Sequence, residues 1–93
     1  MDTQNDVIMA IAQVAQILAN GNFVVGIKQL KKALKNGNAS HVFLACNADP
    51  AITEPIVALC QQNSVDFAWV RSMNDLGRAC GIEVGAAAAA ALN

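Results

Sequence analysis

Apolar residues recur at Val7, Ile8, Ile11, Val14, Ala15 and Leu18, and these spacings of three and four lay one stripe along a helix. The spacing predicts a helix over residues 7–18. Asn5 or Asp6 can cap its start, and Asn20-Gly21-Asn22 closes it with residues that accept a left-handed conformation. Phe23-Val24-Val25 follows as a short strand or extended link. After Gly26, residues 27–35 form a second helix with Ile27, Leu30, Ala33 and Leu34 inward. Lys28, Lys31, Lys32 and Lys35 fill most of its remaining surface, with Lys28, Lys32 and Lys35 near one line. Asn36-Gly37-Asn38 ends this helix.

Residues 41–46 form a near-continuous apolar run of strand length, the pattern of a strand covered on both faces. Asn47-Ala48-Asp49-Pro50 breaks the run. Thr53 or Asp49 can cap a third helix over about residues 51–63, with Ile52, Ile56, Leu59 and Cys60 inward and Pro55 in its first turn. Residues 65–70 are rich in β-branched and aromatic side chains and predict another strand. Ser72 caps a short helix from Met73 to about Cys80, and the glycine-flanked segment Ile82-Glu83-Val84 comes next. By propensity alone, the closing alanine tract from Ala86 is helical. Short helices alternating with short strands imply an α/β domain of three layers, a small sheet between helices.

Composition narrows the picture. At 93 residues the chain has volume for one core, so residues 1–93 are expected to form a single domain. With 55% hydrophobic but 4% aromatic residues, that core is built from Ala, Val, Ile and Leu. No apolar run reaches the roughly 18 to 20 residues that span a bilayer, and the first residues lack a signal-peptide pattern, so a cytoplasmic protein without membrane contact is expected. Cys46, Cys60 and Cys80 are odd in number and widely spaced beside a single His41, which fits neither a disulfide framework nor a metal site and predicts buried thiols. A net charge of -1 argues against a long, indiscriminate nucleic-acid contact but permits a small local one.

Catalysis requires a nucleophile with its base, a metal cluster or converging titratable groups. None can be assembled here, so no catalytic residue, metal or cofactor is expected, and His41 is assigned a structural or surface role. Two features stay open on residues alone. The lysine face of the second helix either is solvated or meets phosphate. The Ile82-Glu83-Val84 knuckle either packs inward or is shown to a partner, such as a base pushed out of its stack.

The segments Gly26-Ile27-Lys28-Gln29-Leu30-Lys31-Lys32-Ala33-Leu34-Lys35, Ala48-Asp49-Pro50 and Leu76-Gly77-Arg78-Ala79-Cys80-Gly81-Ile82-Glu83-Val84-Gly85-Ala86-Ala87-Ala88 resemble the archaeal and bacterial ribosomal proteins that bind kink-turns, most of all their small bacterial ribosomal protein-like relatives. The resemblance spans about residues 7–92. It implies a three-layer α/β/α sandwich with a small four-stranded mixed sheet, in which the alanine tract is a strand. It also implies that the start of the second helix meets the sheared G·A pairs of the kink and that the apolar loop covers an extruded nucleotide. On that basis the expected RNA-binding residues are Gly26, Ile27, Lys28, Gln29, Lys31, Lys32, Asn47, Arg78, Ile82, Glu83 and Val84. Ile27 stands where relatives usually carry Thr, and Asn47 where an acidic residue is common. The partner implied is kink-turn RNA, ribosomal or in a messenger leader, bound by a monomer that also associates with the ribosome. The other reading is a protein-interaction module of the same fold with weak or redirected RNA binding.

Overall fold

The computed structural model describes residues 8–9, 11–19 and 21–93. Its elements run β1 (Ile8–Met9), α1 (Ile11–Ala19), β2 (Phe23–Val24), α2 (Ile27–Lys35), β3 (Ala39–Ala45), α3 (Pro50–Gln62), β4 (Asp66–Val70), α4 (Met73–Cys80) and β5 (Ala88–Leu92). The strands form one mixed sheet in the order β1-β4-β3-β5-β2. β1, β4 and β3 are parallel, while β5 runs antiparallel to β3 and β2 on either side of it.

Alternation of side chains across the pleat divides the core into two clusters. Phe43, Ala45, Ala68, Val70, Ala89 and Ala91 pack with Val14 and Leu18 of α1 and Leu76 and Cys80 of α4. Val42, Leu44, Ala88 and Ala90 pack with Leu30, Ala33 and Leu34 of α2 and Ile56 and Cys60 of α3. The layers are therefore helix pair, sheet, helix pair. The closing alanine tract is the strand β5 and not a helix. Ala88, Ala89 and Ala90 are each 0% exposed, and pairing on both sides plus burial on both faces outweighs a helix preference worth under about 1 kcal/mol per residue.

Four expectations change. The apolar stretch assigned to one helix is divided: Ile8–Met9 pairs with Trp69 and Val70 as a fifth strand, and α1 begins at Ile11. A short apolar run carries no mark separating a strand from a helical turn, and the otherwise open edge of β4 supplies the partner. The capping assigned to Asn5 or Asp6 lies outside the described residues. In α3 the first-turn proline is Pro50, whereas Pro55 sits in the second turn and removes one helical hydrogen bond. That helix is capped by Asp49, whose Oδ1 accepts the Ala51 N–H at 2.9 Å. Its inward line passes through Thr53, Ile56 and Cys60, which leaves Ile52 37% exposed and Leu59 half-buried. Cys46 is exposed, because it lies just past the last residue of β3, while Cys60 and Cys80 are buried as expected.

Burial raises both buried thiols, Cys60 to about 11 from an ordinary 9.0. A protonated thiol is favoured inside, so the folded chain holds its proton where the unfolded chain has lost it. Stability should be unaffected by this group below pH 9.0 and fall as pH rises from there toward about 11. At neutral pH a thiol reagent should modify Cys46 alone in the native protein and all three cysteines in denaturant. Mass spectrometry after timed labelling reads the difference; native labelling of Cys60 at the rate of Cys46 would contradict the packing.

Candidate functional site

The strand register brings several connections to one end of the sheet. Ala45 pairs with Val70, Leu44 with Ala88, and Val24 with Ala90. The β3–α3 turn, the start of α4, the entry to β5 and the β2–α2 turn therefore lie at the end where the parallel strands finish.

Helix α2 begins there without a side-chain cap. Gly26 is its N-cap, with extended φ -66 and ψ 138, and offers no side-chain acceptor to the first-turn N–H groups. The Gly26 carbonyl accepts the Leu30 N–H at 2.9 Å, so helical bonding is complete from that residue on. Leu30, Ala33 and Leu34 face the sheet, and Lys28, Gln29, Lys32 and Lys35 are exposed, with Lys31 half-buried. No acidic residue occupies the first turn. Uncapped N–H groups and the positive helix end face the same solvent region as Lys28 and Gln29, which together suit an anionic ligand. Ile27 is half-buried against the α2/α3 cluster, so its main role here is packing.

Asn47 stands in the β3–α3 turn and is exposed, but its Oδ1 accepts the Met73 N–H at 2.8 Å. Ser72 Oγ accepts the Asp75 N–H at 3.1 Å. Two side chains thus satisfy the start of α4, and Asn47 keeps its Nδ2 donors and one Oδ1 lone pair for anything else. Nothing in the sequence signals this bond, since its partners are separated by 26 residues.

The knuckle after α4 is split between the two options. Ile82 packs against the α1/α4 cluster, as does Val25 just before Gly26. Val84 is 70% exposed and Glu83 is exposed. Gly81 ends α4 in the left-handed conformation at φ 78, and the Ile82 N–H bonds the Gly77 carbonyl at 3.0 Å. The segment then doubles back along α4: the Ala86 N–H reaches the Met73 carbonyl at 3.0 Å, and a Cβ on Gly77 would collide with the Val84 carbonyl. Gly77 therefore seats this loop on α4, and the sequence marks it only as a glycine inside a helical pattern.

Arg78 is exposed in the last turn of α4, away from the strand end where Met73 starts. The gathered set is therefore Gly26, Lys28, Gln29 and Asn47 at the strand end, with Lys32 one turn along α2. Ile82 joins through the shared cluster, with Glu83 and Val84 following it exposed, and Arg78 stands beside that loop. His41 is half-buried with its ring 5.0 Å from that of Phe43, in keeping with a structural role. Among the described residues no group of His, Cys, Asp and Glu could hold a metal ion, and no helix is long and apolar enough to cross a membrane.

The sequence model of the ribosomal protein L7Ae/L30e/S12e/Gadd45 family matches residues 9–93. A Bacillus pumilus protein named RNA-binding protein is 48% identical over 69 residues, covering 74% of this chain and 84% of that one. The large ribosomal subunit protein eL8 of Halobacterium salinarum is 35% identical over 71 residues, or 75% of this chain and 59% of that protein. In structure, the Giardia lamblia 15.5kD RNA binding protein superposes with a TM-score of 0.81 at 23% identity, covering 100% of this chain and 84% of that one, and so shares the fold.

Proposed function

This chain belongs to the ribosomal protein L7Ae/L30e/S12e/Gadd45 family, an RNA-binding family without enzymatic activity, and from that premise we propose that it recognises and stabilises kink-turn RNA. The observation that carries the reading is the open start of α2, where no side chain caps the first-turn N–H groups and Lys28, Gln29 and Lys32 stand exposed around them. A kink crowds two backbones, and a helix N-terminus with Lys28 in its first turn and Lys32 one turn on neutralises that crowding locally despite a net charge of -1. Val84, 70% exposed, supplies an apolar cover for one unstacked base. Ile82 supports the loop from beneath, and Asn47 offers its Nδ2 while fixing α4. Lys31, Glu83 and Arg78 border the surface. The RNA is ribosomal or a messenger leader, and the protein acts as a cytoplasmic monomer associated with the ribosome.

A titration into an end-labelled kink-turn RNA, beside the same RNA with its G·A pairs made Watson-Crick, tests this at about 0.15 M salt. Binding to the kinked RNA should be at least about 100-fold tighter, equivalent to about 2.8 kcal/mol of site-specific contact. Lys32→Ala should lower the salt dependence by about one phosphate contact, and Val84→Asp should weaken binding by about tenfold or more, the worth of a stacked or covered base. Equal affinity for both RNAs would sink the kink-turn reading and favour a protein-interaction role for the Val84 loop.

A further inference from the structure

On the α2/α3 side of the sheet, where β3 and β4 end, a half-open cleft of about 400 Å³ lies between α3 and Trp69. Its size falls within the roughly 300 to 1,000 Å³ of small-molecule sites, and the carboxyl end of parallel strands is where open α/β sheets take ligands. We propose that this cleft binds a small organic amine with an apolar body, its ammonium held by Glu54 and its body laid between Trp69, Pro50 and Val57. The inference is independent of the RNA reading, because none of these residues belongs to the RNA surface.

The ligand class follows from the lining. Pro50, Thr53, Glu54 and Val57 follow helical spacing, so one face of α3 forms a wall, and Trp69 forms the other. Trp69 is half-buried and held edge-on to Phe67, with ring centroids 6.5 Å apart at 85°, which fixes its indole. Glu54 is exposed, and among the described residues it is the one carboxylate of the lining and no lysine, arginine or histidine lines the cleft. An anion is further disfavoured because the positive end of the nearby helix α3 is already met by the Asp49 carboxylate. A carboxylate beside an indole is the pairing that suits an alkylammonium, through a charge-assisted hydrogen bond and a cation–π contact. Thr53, 4% exposed, brings a hydroxyl-bearing side chain to the wall, and Cys46 stands at the strand end of the cleft.

Trp69 is the chain's single tryptophan, so the protein's indole emission comes from a wall of this cleft. The full chain is titrated at pH 7 with cyclohexylmethylamine, and in parallel with cyclohexylmethanol and cyclohexanecarboxylate at matched ionic strength. The amine should give a saturable change with a Kd on the order of 1 mM or tighter, the alcohol should bind about tenfold more weakly, and the acid should not saturate. Glu54→Gln alters an exposed side chain and leaves the core untouched; it should reduce amine binding to the level of the alcohol. Amine and alcohol binding alike, an unchanged amine affinity in Glu54→Gln, or no saturable response to the amine would each overturn the proposal.

Discussion

Gly77→Ala should destabilise the protein by at least about 2 kcal/mol, although helix propensity alone would have alanine stabilise the α4 interior by about 1 kcal/mol. The opposite signs make the variant decisive. Gly77 is buried, and its missing Cβ is the space in which the Val84 carbonyl lies, with the Val84 carbonyl carbon and Gly85 Cα close behind. All three are backbone atoms, so no side-chain rotation can relieve the overlap. The returning segment must lift from α4, which strains the bonds from Ile82 to Gly77 and from Ala86 to Met73 that hold it down. Urea unfolding measures the loss, and a variant as stable as the parent would show that the segment is not seated on Gly77. Because the lifted segment carries Ile82 and Val84, affinity for a kinked RNA should fall as well, by more than in a Glu83→Gln control that leaves Gly77 in place.

Phe43→Ala should cost about 3 to 5 kcal/mol. Phe43 is 0% exposed and is the largest of the fully buried side chains. It stands on central strand β3 within the cluster that joins α1 and α4 to the sheet. Many neighbours are alanines, including Ala45, Ala68, Ala89 and Ala91, whose methyl groups cannot extend into the space a phenyl ring leaves. A site that cannot collapse keeps its cavity, which places the loss high in the range. Folded domains hold about 0.05 to 0.15 kcal/mol per residue, so the loss is a large part of the total, and the midpoint of thermal unfolding should fall by more than about 10 °C. A loss below about 1.5 kcal/mol would mean that α1 and α4 can close on the gap.

Much of this architecture is legible in the sequence wherever a local rule decides it. Helix α2 occupies the expected residues 27–35 because a clear apolar stripe, a preceding glycine and Asn36-Gly37-Asn38 agree. Ser72 caps α4 as its residue type indicates. Elements decided by long-range packing are less legible. Ala88–Leu92 is a strand because two neighbours pair with it and two helix layers cover it, none of which alanine encodes. The choice between Ile52 and Thr53 as the inward residue depends on where α3 starts, and a helix begun at Pro50 turns Thr53 toward the sheet. In the candidate site, the lysine positions follow from helical spacing, whereas the Asn47–Met73 bond and the seating of Val84 on Gly77 join segments that only the tertiary fold brings together.

The strand order also constrains how the molecule is made. β5 follows every other element in chain order, yet it lies inside the sheet, between β3 and the edge strand β2, and pairs Phe23 with Ala91. A nascent chain that has emerged through α4 has a β2 with no neighbour and a β3 open along one side. Its two core clusters each lack the alanine rows contributed by β5. Such pairings of high sequence separation slow folding and leave strand edges exposed until they form. Closure is therefore a late event: the final strand joins β3 and β2 at once, and small alanine side chains are the ones that enter between the helix layers with the least displacement.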